Sequence, residues 1–196
     1  MTVRRLTQTI FRTAPLNAII GALSRLIMKA VGWKIGGQRP TLKKYVLLAA
    51  PHTSNWDFIL IVMVAFRLQL DVHWMGKKSL FFFPFARIML WLGGIPIDRT
   101  QTNDVVTQVV EQFQSNDELI VLIPPEGTRS KVSRWKTGFY HIAMNAQVPL
   151  VLGFVDAGTK TIGFGPGFIP TGNIEQDFLE IEKFYSSKVG IVPSNQ

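Results

Sequence analysis

The sequence predicts an α/β fold: a mostly parallel central sheet flanked by helices, with a basic amphipathic helix at the N-terminus. Three observations lead to this prediction. Apolar runs of strand length alternate with longer helical patterns along the chain. Two of these runs are followed by polar clusters, and ligand sites of α/β folds lie where parallel strands end. A helical stripe of aliphatic side chains precedes the first run.

The composition sets limits on the class of protein. The 196 residues suit one domain with a sizeable core. The chain is 47% hydrophobic and 17% charged, which is more apolar than a typical soluble domain, yet no run of about 18 residues lacks charges and helix breakers. We therefore expect no transmembrane helix and, without an apolar N-terminal core and cleavage site, no signal peptide. The absence of cysteine excludes disulfides and thiolate metal sites.

The positive charge lies mainly in the N-terminal quarter of the chain. The net charge is +8, and nine of the 21 basic residues precede Asp57, whereas no Asp or Glu does. A basic arm of this kind binds nucleic acid or an anionic membrane surface. We rank nucleic acid lower because the arm has no aromatic platform and no recognition motif.

The arm contains a helical pattern of bulky aliphatic residues. A basic amphipathic helix of this type lies in the lipid interface, with its stripe toward the acyl chains and its arginines at headgroups. The alternative is an ordinary helix that packs its stripe on the core. We predict a membrane-binding arm over residues 1–44 and a single domain over residues 45–196. The stripe consists of Leu16, Ile19, Ile20, Leu23, Leu26, Ile27, Ala30 and Val31.

The first polar cluster joins a predicted strand to a predicted helix. Tyr45–Ala50 has the apolar character of a buried strand, and Phe58–Phe66 is long enough for a helix. Ser54 resembles an N-cap, which places Asp57 in the first helical turn and His52 in the preceding loop. A histidine accepts a proton near neutral pH, and a carboxylate can hold its ring in one tautomer. Asp57 is therefore either a helix cap or the partner of a catalytic His52.

The remaining elements alternate in type. The sequence predicts a loop from Gly36 to Lys44, and for Leu80 to Leu92 it leaves core packing and a lipid-facing surface both open. The other predicted elements are strands over 71–77, 93–99, 118–123 and 148–154, helices over 102–115, 138–146 and 173–187, and a hairpin within 158–170.

The second polar cluster follows the predicted strand at 118–123. Glu126, Gly127, Thr128 and Arg129 supply a carboxylate, a permissive backbone, a hydroxyl and a guanidinium in one loop. Such groups suit an anionic headgroup that carries neighbouring hydroxyls. Upstream, Arg99 could grip a phosphate with two hydrogen bonds, or could pair with a surface acid.

These motifs together resemble the glycerolipid acyltransferase family, which includes the 1-acylglycerol-3-phosphate acyltransferases. The resemblance covers roughly residues 45 to 155. It rests on four motifs in order: His52-x-x-x-x-Asp57, Gly94-x-Pro-Ile-x-Arg99, Pro125 to Ser130, and Val148-Pro149-Leu150-Val151. The complete Glu-Gly-Thr-Arg-Ser segment is the most specific of the four.

The resemblance implies a reaction and a role for each motif. His52 is expected to take a proton from an acceptor hydroxyl, which attacks the thioester of acyl-CoA or acyl-carrier protein, while Asp57 orients the ring. Arg99 and the loop of Glu126, Gly127, Thr128 and Arg129 are expected to hold a lysophospholipid-like acceptor. No metal or cofactor is expected, because the alcohol is itself the nucleophile.

The sequence leaves other functions open. A non-catalytic lipid-binding protein and a hydrolase that passes the acyl group to water would carry the same features. We expect a protein bound to the cytoplasmic face of a membrane, peripherally or monotopically. Neither the acceptor lipid, the acyl-chain length, the donor nor the oligomeric state follows from the residues.

Overall fold

The computed structural model describes residues 6, 8–98, 100 and 102–196. The strands are β1 (Lys34–Gly36), β2 (Lys44–Ala50), β3 (Val72–Lys77), β4 (Gly94–Ile97), β5 (Leu119–Ile123), β6 (Leu150–Asp156) and β7 (Thr161–Phe168). The helices are α1 (Leu16–Val31), α2 (Asn55–Leu68), α3 (Ala86–Trp91), α4 (Thr102–Ser115), α5 (Gly138–Ala146) and α6 (Ile174–Tyr185). Short 3-10 turns occur at Ile10–Arg12, Lys78–Leu80 and Pro193–Asn195.

In the part of the chain that is described, the strands form one sheet in the order β1-β7-β6-β2-β5-β3-β4. Every neighbouring pair is parallel except β6 and β7, which form an antiparallel hairpin. The predicted fold class, a mostly parallel sheet flanked by helices, is therefore confirmed.

The sheet has a hydrophobic core on each face, because β2 at its centre is buried on both sides. Val46 and Leu48 point into the core covered by α4, α5 and α6, and Tyr45 and Leu47 point into the core covered by α1 and α2. The helix after β2 and the helix after β5 thus lie on opposite faces. Neighbouring parallel strands whose chains leave to opposite faces open a crevice at their carboxyl ends.

The predicted arm is not a separate unit in the structure. β1 lies within residues 1–44 but pairs with β7 in the same sheet, and Met28 of α1 is fully buried in the core. The predicted loop from Gly36 is wrong at its first residue, since Gly36 ends β1. A three-residue strand is too short to show a periodicity, and its pairing partner comes more than a hundred residues later.

α1 packs on α2 at Gly21 and turns most of its large aliphatic side chains outward. Ser24 and Met28 are buried, and a Cβ added to Gly21 would lie 3.0 Å from the Phe66 carbonyl oxygen of α2. The alternative in which the whole stripe packs on the core is therefore wrong. Five aliphatic residues of α1 are exposed, with Leu26 at 65%, and are here called the outer stripe of α1: Ile19, Leu23, Leu26, Ile27 and Val31.

Residues 80–92 form a second exposed apolar surface, here called the 80–92 segment. Phe83 is 93% exposed, and Leu80, Phe82, Phe85, Ile88 and Leu92 are also exposed, so core packing is wrong for these residues. Trp91 Nε1 donates a hydrogen bond of 3.0 Å to Thr13 Oγ1, which places the segment near the start of α1. None of the helices in the described ranges is long and apolar enough to cross a bilayer.

Candidate active site

Two loops leave the carboxyl edge of the sheet side by side. β2 and β5 are neighbours, and Leu48 pairs with Ile123 in their parallel register. His52 lies in the loop after β2, and Glu126 lies in the loop after β5. The two polar clusters that the sequence singles out are therefore adjacent in space.

The start of α2 holds His52 against Asp57. Ser54 caps the helix, and its Oγ accepts a hydrogen bond of 3.2 Å from the Trp56 N–H. Asp57 Oδ2 turns back over the helix start and accepts hydrogen bonds from the backbone N–H groups of Thr53 (2.6 Å) and Ser54 (2.7 Å). The same oxygen lies 3.3 Å from His52 Nδ1. Asp57 is thus a helix cap and a histidine partner at once.

This geometry selects one tautomer of His52. When Nδ1–H donates to the Asp57 carboxylate, Nε2 carries the free lone pair and is the atom that can accept a proton. The side chain of Asp57 is 1% exposed, whereas that of His52 is 21% exposed. A buried acceptor therefore orients a ring that solvent and ligands can still reach.

Glu126 supports the His52 loop from the side of β5. Its Oε1 accepts a hydrogen bond of 3.1 Å from the backbone N–H of His52, and the residue is buried. Glu126 Oε2 and Asp57 Oδ1 are buried without a hydrogen-bond partner among the described residues. Buried carboxylate oxygens left in this state cost folding free energy, and such groups concentrate at functional sites.

Burial raises the pKa of the Glu126 carboxyl group above its usual value. Hydrogen bonds from its own backbone and from His52 oppose this shift, and the negative charge of Asp57 adds to it. Burial also raises the pKa of Tyr185 well above its usual value, and the charge of Glu126 contributes. Tyr185 O–H donates to the Gly153 carbonyl oxygen at 2.8 Å. Burial therefore disfavours the charged forms of Glu126 and Tyr185.

The backbone of the Glu126 loop turns at Gly127. Its φ is +66°, a left-handed conformation that side chains disfavour, and its N–H donates to the Pro124 carbonyl oxygen at 3.1 Å. A Cβ at this position would lie 2.7 Å from Lys136 Nζ. Glycine here lets the lysine ammonium approach the loop backbone.

Thr128 and Arg129 lie at the exposed rim of the site. Arg129 Nη1 donates a hydrogen bond to Asn55 Oδ1, at the first residue of α2. Thr128 Oγ1 is 3.4 Å from the Ser130 backbone N. The guanidinium is therefore tied to the first residue of α2, the helix that carries Asp57.

Arg99 lies outside the described residues, so its predicted role stays a prediction. The preceding residue, Asp98, follows β4 at the same carboxyl edge. Its backbone N–H and C=O are both bound by the side-chain amide of Gln108, at 3.0 Å each. Lys78 Nζ is 3.6 Å from Asp98 Oδ2.

Sequence reasoning missed two residues of this site, Thr53 and Asn55. Thr53 is 3% exposed, and its backbone N–H donates a hydrogen bond to Asp57. The side-chain oxygen of Asn55 accepts a hydrogen bond from Arg129. Their types carry no signal by themselves, because Thr and Asn are common in turns and at helix starts. In the described ranges, no cluster of three or more His, Asp or Glu side chains could hold a metal ion.

Comparisons with known proteins agree with this architecture. The 1-acyl-sn-glycerol-3-phosphate acyltransferase of Escherichia coli is 30% identical over 144 residues, which cover 68% of this chain and 57% of that protein. The Haemophilus influenzae protein of the same name is 33% identical over 107 residues, covering 51% and 43%. The human alpha form is 34% identical over 118 residues, covering 57% and 40%. The chain spans about half the length of the curated relatives it matches.

A solved structure shares the fold. The crystal structure of the 1-acyl-sn-glycerophosphate acyltransferase from Thermotoga maritima superposes with a TM-score of 0.58 at 16% identity, covering 86% of this chain and 76% of that one. The family model named Acyltransferase matches residues 33–151, which include both loops of the site. Since that match is more than half of the sequence, the chain belongs to the Acyltransferase family.

Proposed function

We propose that this chain transfers a fatty acyl group from acyl-CoA or acyl-carrier protein to the hydroxyl of a lysophospholipid-like acceptor. The observation that carries the proposal is the His52–Asp57 pair, with Nδ1 3.3 Å from a buried carboxylate oxygen and a partly exposed ring. Family membership and the names of the relatives, which are 1-acyl-sn-glycerol-3-phosphate acyltransferases, support the same chemistry.

The reaction needs one base and no nucleophile from the protein. Nε2 of His52 removes the proton from the acceptor hydroxyl as its oxygen attacks the thioester carbonyl. Asp57 stabilises the imidazolium that forms. The tetrahedral intermediate then collapses, the thiolate leaves, and the imidazolium returns the proton to it. The products are an ester and a free thiol, and the balance requires no metal or cofactor.

The acceptor is proposed to bind at the rim formed by the Glu126 loop. Arg129 beside Asn55 and Lys136 beside Gly127 offer positive charge at the Glu126 loop. Both suit a phosphate, the arginine by its paired N–H groups and the lysine as a point charge. Thr128 adds a hydroxyl for a polar headgroup, and Arg99 is proposed to join the same site.

The protein is proposed to work at the surface of an anionic membrane, on its cytoplasmic face. The outer stripe of α1 and the exposed side chains of the 80–92 segment are large apolar groups that face away from the core. Contiguous exposed apolar surface of this kind marks interaction sites. Arg25 and Lys29 of α1 are exposed and suit lipid headgroups, each contributing about 1 kcal/mol near an anionic surface.

The test is a transfer assay with purified protein on anionic vesicles. Radiolabelled acyl-CoA and acyl-carrier protein are supplied in parallel, with lysophosphatidic acid or another lysophospholipid as acceptor. Wild-type protein should form the diacyl product, and His52→Gln should lose on the order of a thousandfold in kcat, within the range that general-base catalysis contributes. His141→Gln, a change of the same type on α5, is the matched control and should keep full activity.

The competing functions give different products in this assay. A hydrolase would release free fatty acid without needing the lysophospholipid. A non-catalytic lipid-binding protein would bind the vesicles and turn nothing over. Wild-type activity in His52→Gln would overturn the mechanism.

A further inference from the structure

The residues that follow α6 fold back onto the loop that carries His52. We propose that this C-terminal segment, residues 188–196, holds His52 and Asp57 in their reactive geometry, with Thr53 as the positioning residue. The inference rests on the proposed function. It concerns a part of the chain that lies beyond residues 33–151, where the family model matches.

The C-terminal segment contacts Thr53 on three sides. The Val192 backbone N–H donates to Thr53 Oγ1 at 3.1 Å, and Asn195 Nδ2 donates to the Thr53 carbonyl oxygen at 3.1 Å. Gly190 approaches so closely that an added Cβ would lie 2.6 Å from Thr53 Cγ2. These contacts leave Thr53 almost completely buried.

Thr53 passes this constraint to the His52–Asp57 pair. Its backbone N–H donates to Asp57 Oδ2 at 2.6 Å, the same oxygen that lies 3.3 Å from His52 Nδ1. Thr53 is also the residue next to His52 in the chain. A shift of Thr53 would therefore move both the histidine backbone and a donor to the carboxylate that orients its ring.

The C-terminal segment is itself anchored, so it can resist such a shift. The Val189 N–H donates to Asp156 Oδ1 at 3.3 Å, and its carbonyl oxygen accepts from the Ala157 N–H at 2.7 Å. Gly190 N–H donates to Gln196 Oε1 at 2.7 Å, which closes the segment on itself. Ile191 packs on the core beneath α2. The segment links the end of β6 to the His52 loop.

Glu126 and the C-terminal segment hold opposite parts of the same loop. Glu126 fixes the His52 backbone N–H, and the segment fixes the side chain and carbonyl of Thr53. A misplacement of about 1 Å in a catalytic group can reduce the rate a hundredfold. Loss of the segment's contacts should therefore lower kcat more than it changes substrate binding.

The first experiment compares Thr53→Val with Thr53→Ser. Valine keeps the shape of threonine but cannot accept the Val192 N–H, whereas serine can. We expect Thr53→Val to lower kcat about tenfold or more, with KM for donor and acceptor within about twofold of the wild-type values. Thr53→Ser should keep kcat near the wild-type value. Thr171→Val is the matched control. It removes a hydroxyl that donates to Asp177 at 3.0 Å and accepts from the Asn173 N–H, both at the start of α6 and outside the His52 loop, and should leave kcat unchanged.

The second experiment is a double-mutant cycle of Gly190 and Thr53, measured in the same transfer assay. Gly190→Ala drives a methyl group into Thr53, and Thr53→Ala removes Cγ2 and Oγ1, the two nearest atoms that it meets at 2.6 and 2.8 Å, and leaves Cβ at 3.2 Å. The two effects on kcat should be non-additive, because the two closest contacts exist only when threonine is present.

Amide hydrogen exchange supplies a readout that does not depend on activity. In Thr53→Val and Gly190→Ala, the amides of residues 53 and 54, which donate to Asp57, should exchange faster than in wild-type protein. Thr171→Val should leave them unchanged. Additive effects in the cycle, or a Thr53→Val protein with wild-type kcat and exchange, would overturn the inference. If wild-type protein transfers no acyl group, the proposed function fails, and the exchange data alone decide whether the segment positions Asp57.

Discussion

The His52 site and the outer stripe of α1 depart from ordinary packing in opposite ways. At the site, the charged residues Asp57 and Glu126 are buried, and each has an oxygen without a partner among the described residues. On α1, large aliphatic side chains such as Leu26 are exposed, while Ser24 faces the protein. Buried unpaired polar atoms and exposed apolar stripes both cost free energy in water. The two regions thus coincide with the two proposed roles, proton transfer at His52 and lipid contact at α1.

The comparison implies that the proposed chemistry and the proposed membrane binding are separable. The site draws its geometry from the start of α2 and the loop after β5, whereas α1 contacts α2 through Gly21, Ser24 and Met28. Variants in one region should therefore leave the other intact.

The largest effect is expected for Asp57→Asn. The amide can still cap α2, at a stability cost of about 1 kcal/mol, but it no longer stabilises the imidazolium of His52. We expect kcat to fall on the order of a thousandfold while vesicle binding is unchanged, as measured by transfer assay and vesicle sedimentation. A variant that lost membrane binding together with activity would contradict the separation.

The second effect concerns the outer stripe of α1. Replacing Ile19, Leu23 and Leu26 by serine should weaken binding to anionic vesicles about a hundredfold, since each side chain contributes ~1 kcal/mol at the interface. Turnover of a short-chain, water-soluble acceptor should persist. Leu179→Ser, at an exposed leucine of α6, is the matched control. If the triple variant sediments with vesicles as well as wild-type protein does, the outer stripe is not the membrane contact, and the 80–92 segment is the next candidate.

The third effect concerns the packing side of α1. Gly21→Leu places a side chain where even a Cβ lies 3.0 Å from the Phe66 carbonyl oxygen, so it should reduce the free energy of unfolding by about 1–3 kcal/mol. Ala22→Leu adds the same side chain at the neighbouring exposed position and should be nearly neutral. Denaturant titration of both variants measures the difference. Equal stability would mean that α1 does not pack as described.

The smallest effect is a pH dependence at Glu126. Because burial raises the pKa of this carboxyl group in the folded protein, the folded state holds its proton more tightly than the unfolded state does. The protonated Glu126 carboxyl group contributes its full share of stability when the pH lies below its pKa in the unfolded chain, near 4.5. This contribution is lost as the pH rises through the higher pKa of the folded protein. Glu126→Gln should therefore melt a few degrees above wild-type protein at neutral pH, with the difference shrinking toward about pH 4.

Glu126→Gln should also change the stability and the activity of the protein in opposite directions. Its transferase activity should fall while its stability rises, which is the pattern expected when a site keeps a costly group for function. Melting curves at several pH values and a transfer assay on one preparation measure both. A Glu126→Gln protein that is less stable than wild type at neutral pH would contradict the role of burial.

Much of the fold could be predicted from the sequence because the elements are long and periodic. The helices at 102–115 and 138–146 match α4 and α5 residue for residue. The hairpin predicted within 158–170 is wrong in its pairing, since that range holds only β7, whose antiparallel partner is β6. β1 escaped prediction because three residues carry no periodicity. For the α1 stripe, the sequence left an outward-facing and a core-packed orientation both open, since periodicity shows that a helix has an apolar side but not which side meets the protein.

The contacts of the predicted site are likewise of two kinds, local ones that the sequence indicates and long-range ones that it does not. His52 and Asp57 are five residues apart, so a helix cap between them brings them together by local geometry alone. The contact of His52 N–H with Glu126 spans 74 residues and exists because β2 and β5 are neighbours in the sheet. The contact of Thr53 with Asn195 spans 142 residues, and no pattern of residue types announces it.

The amino-acid sequence alone predicts the α/β class, the cap that joins Ser54 to Asp57, and the two polar loops whose motifs resemble an acyltransferase. Local interactions and hydrophobic periodicity are sufficient for these features. The tertiary structure decided that Glu126 is buried under His52, that the stripe of α1 faces outward, and that the C-terminal segment closes on Thr53. These features depend on strand order and close packing between distant residues, which a linear pattern does not encode.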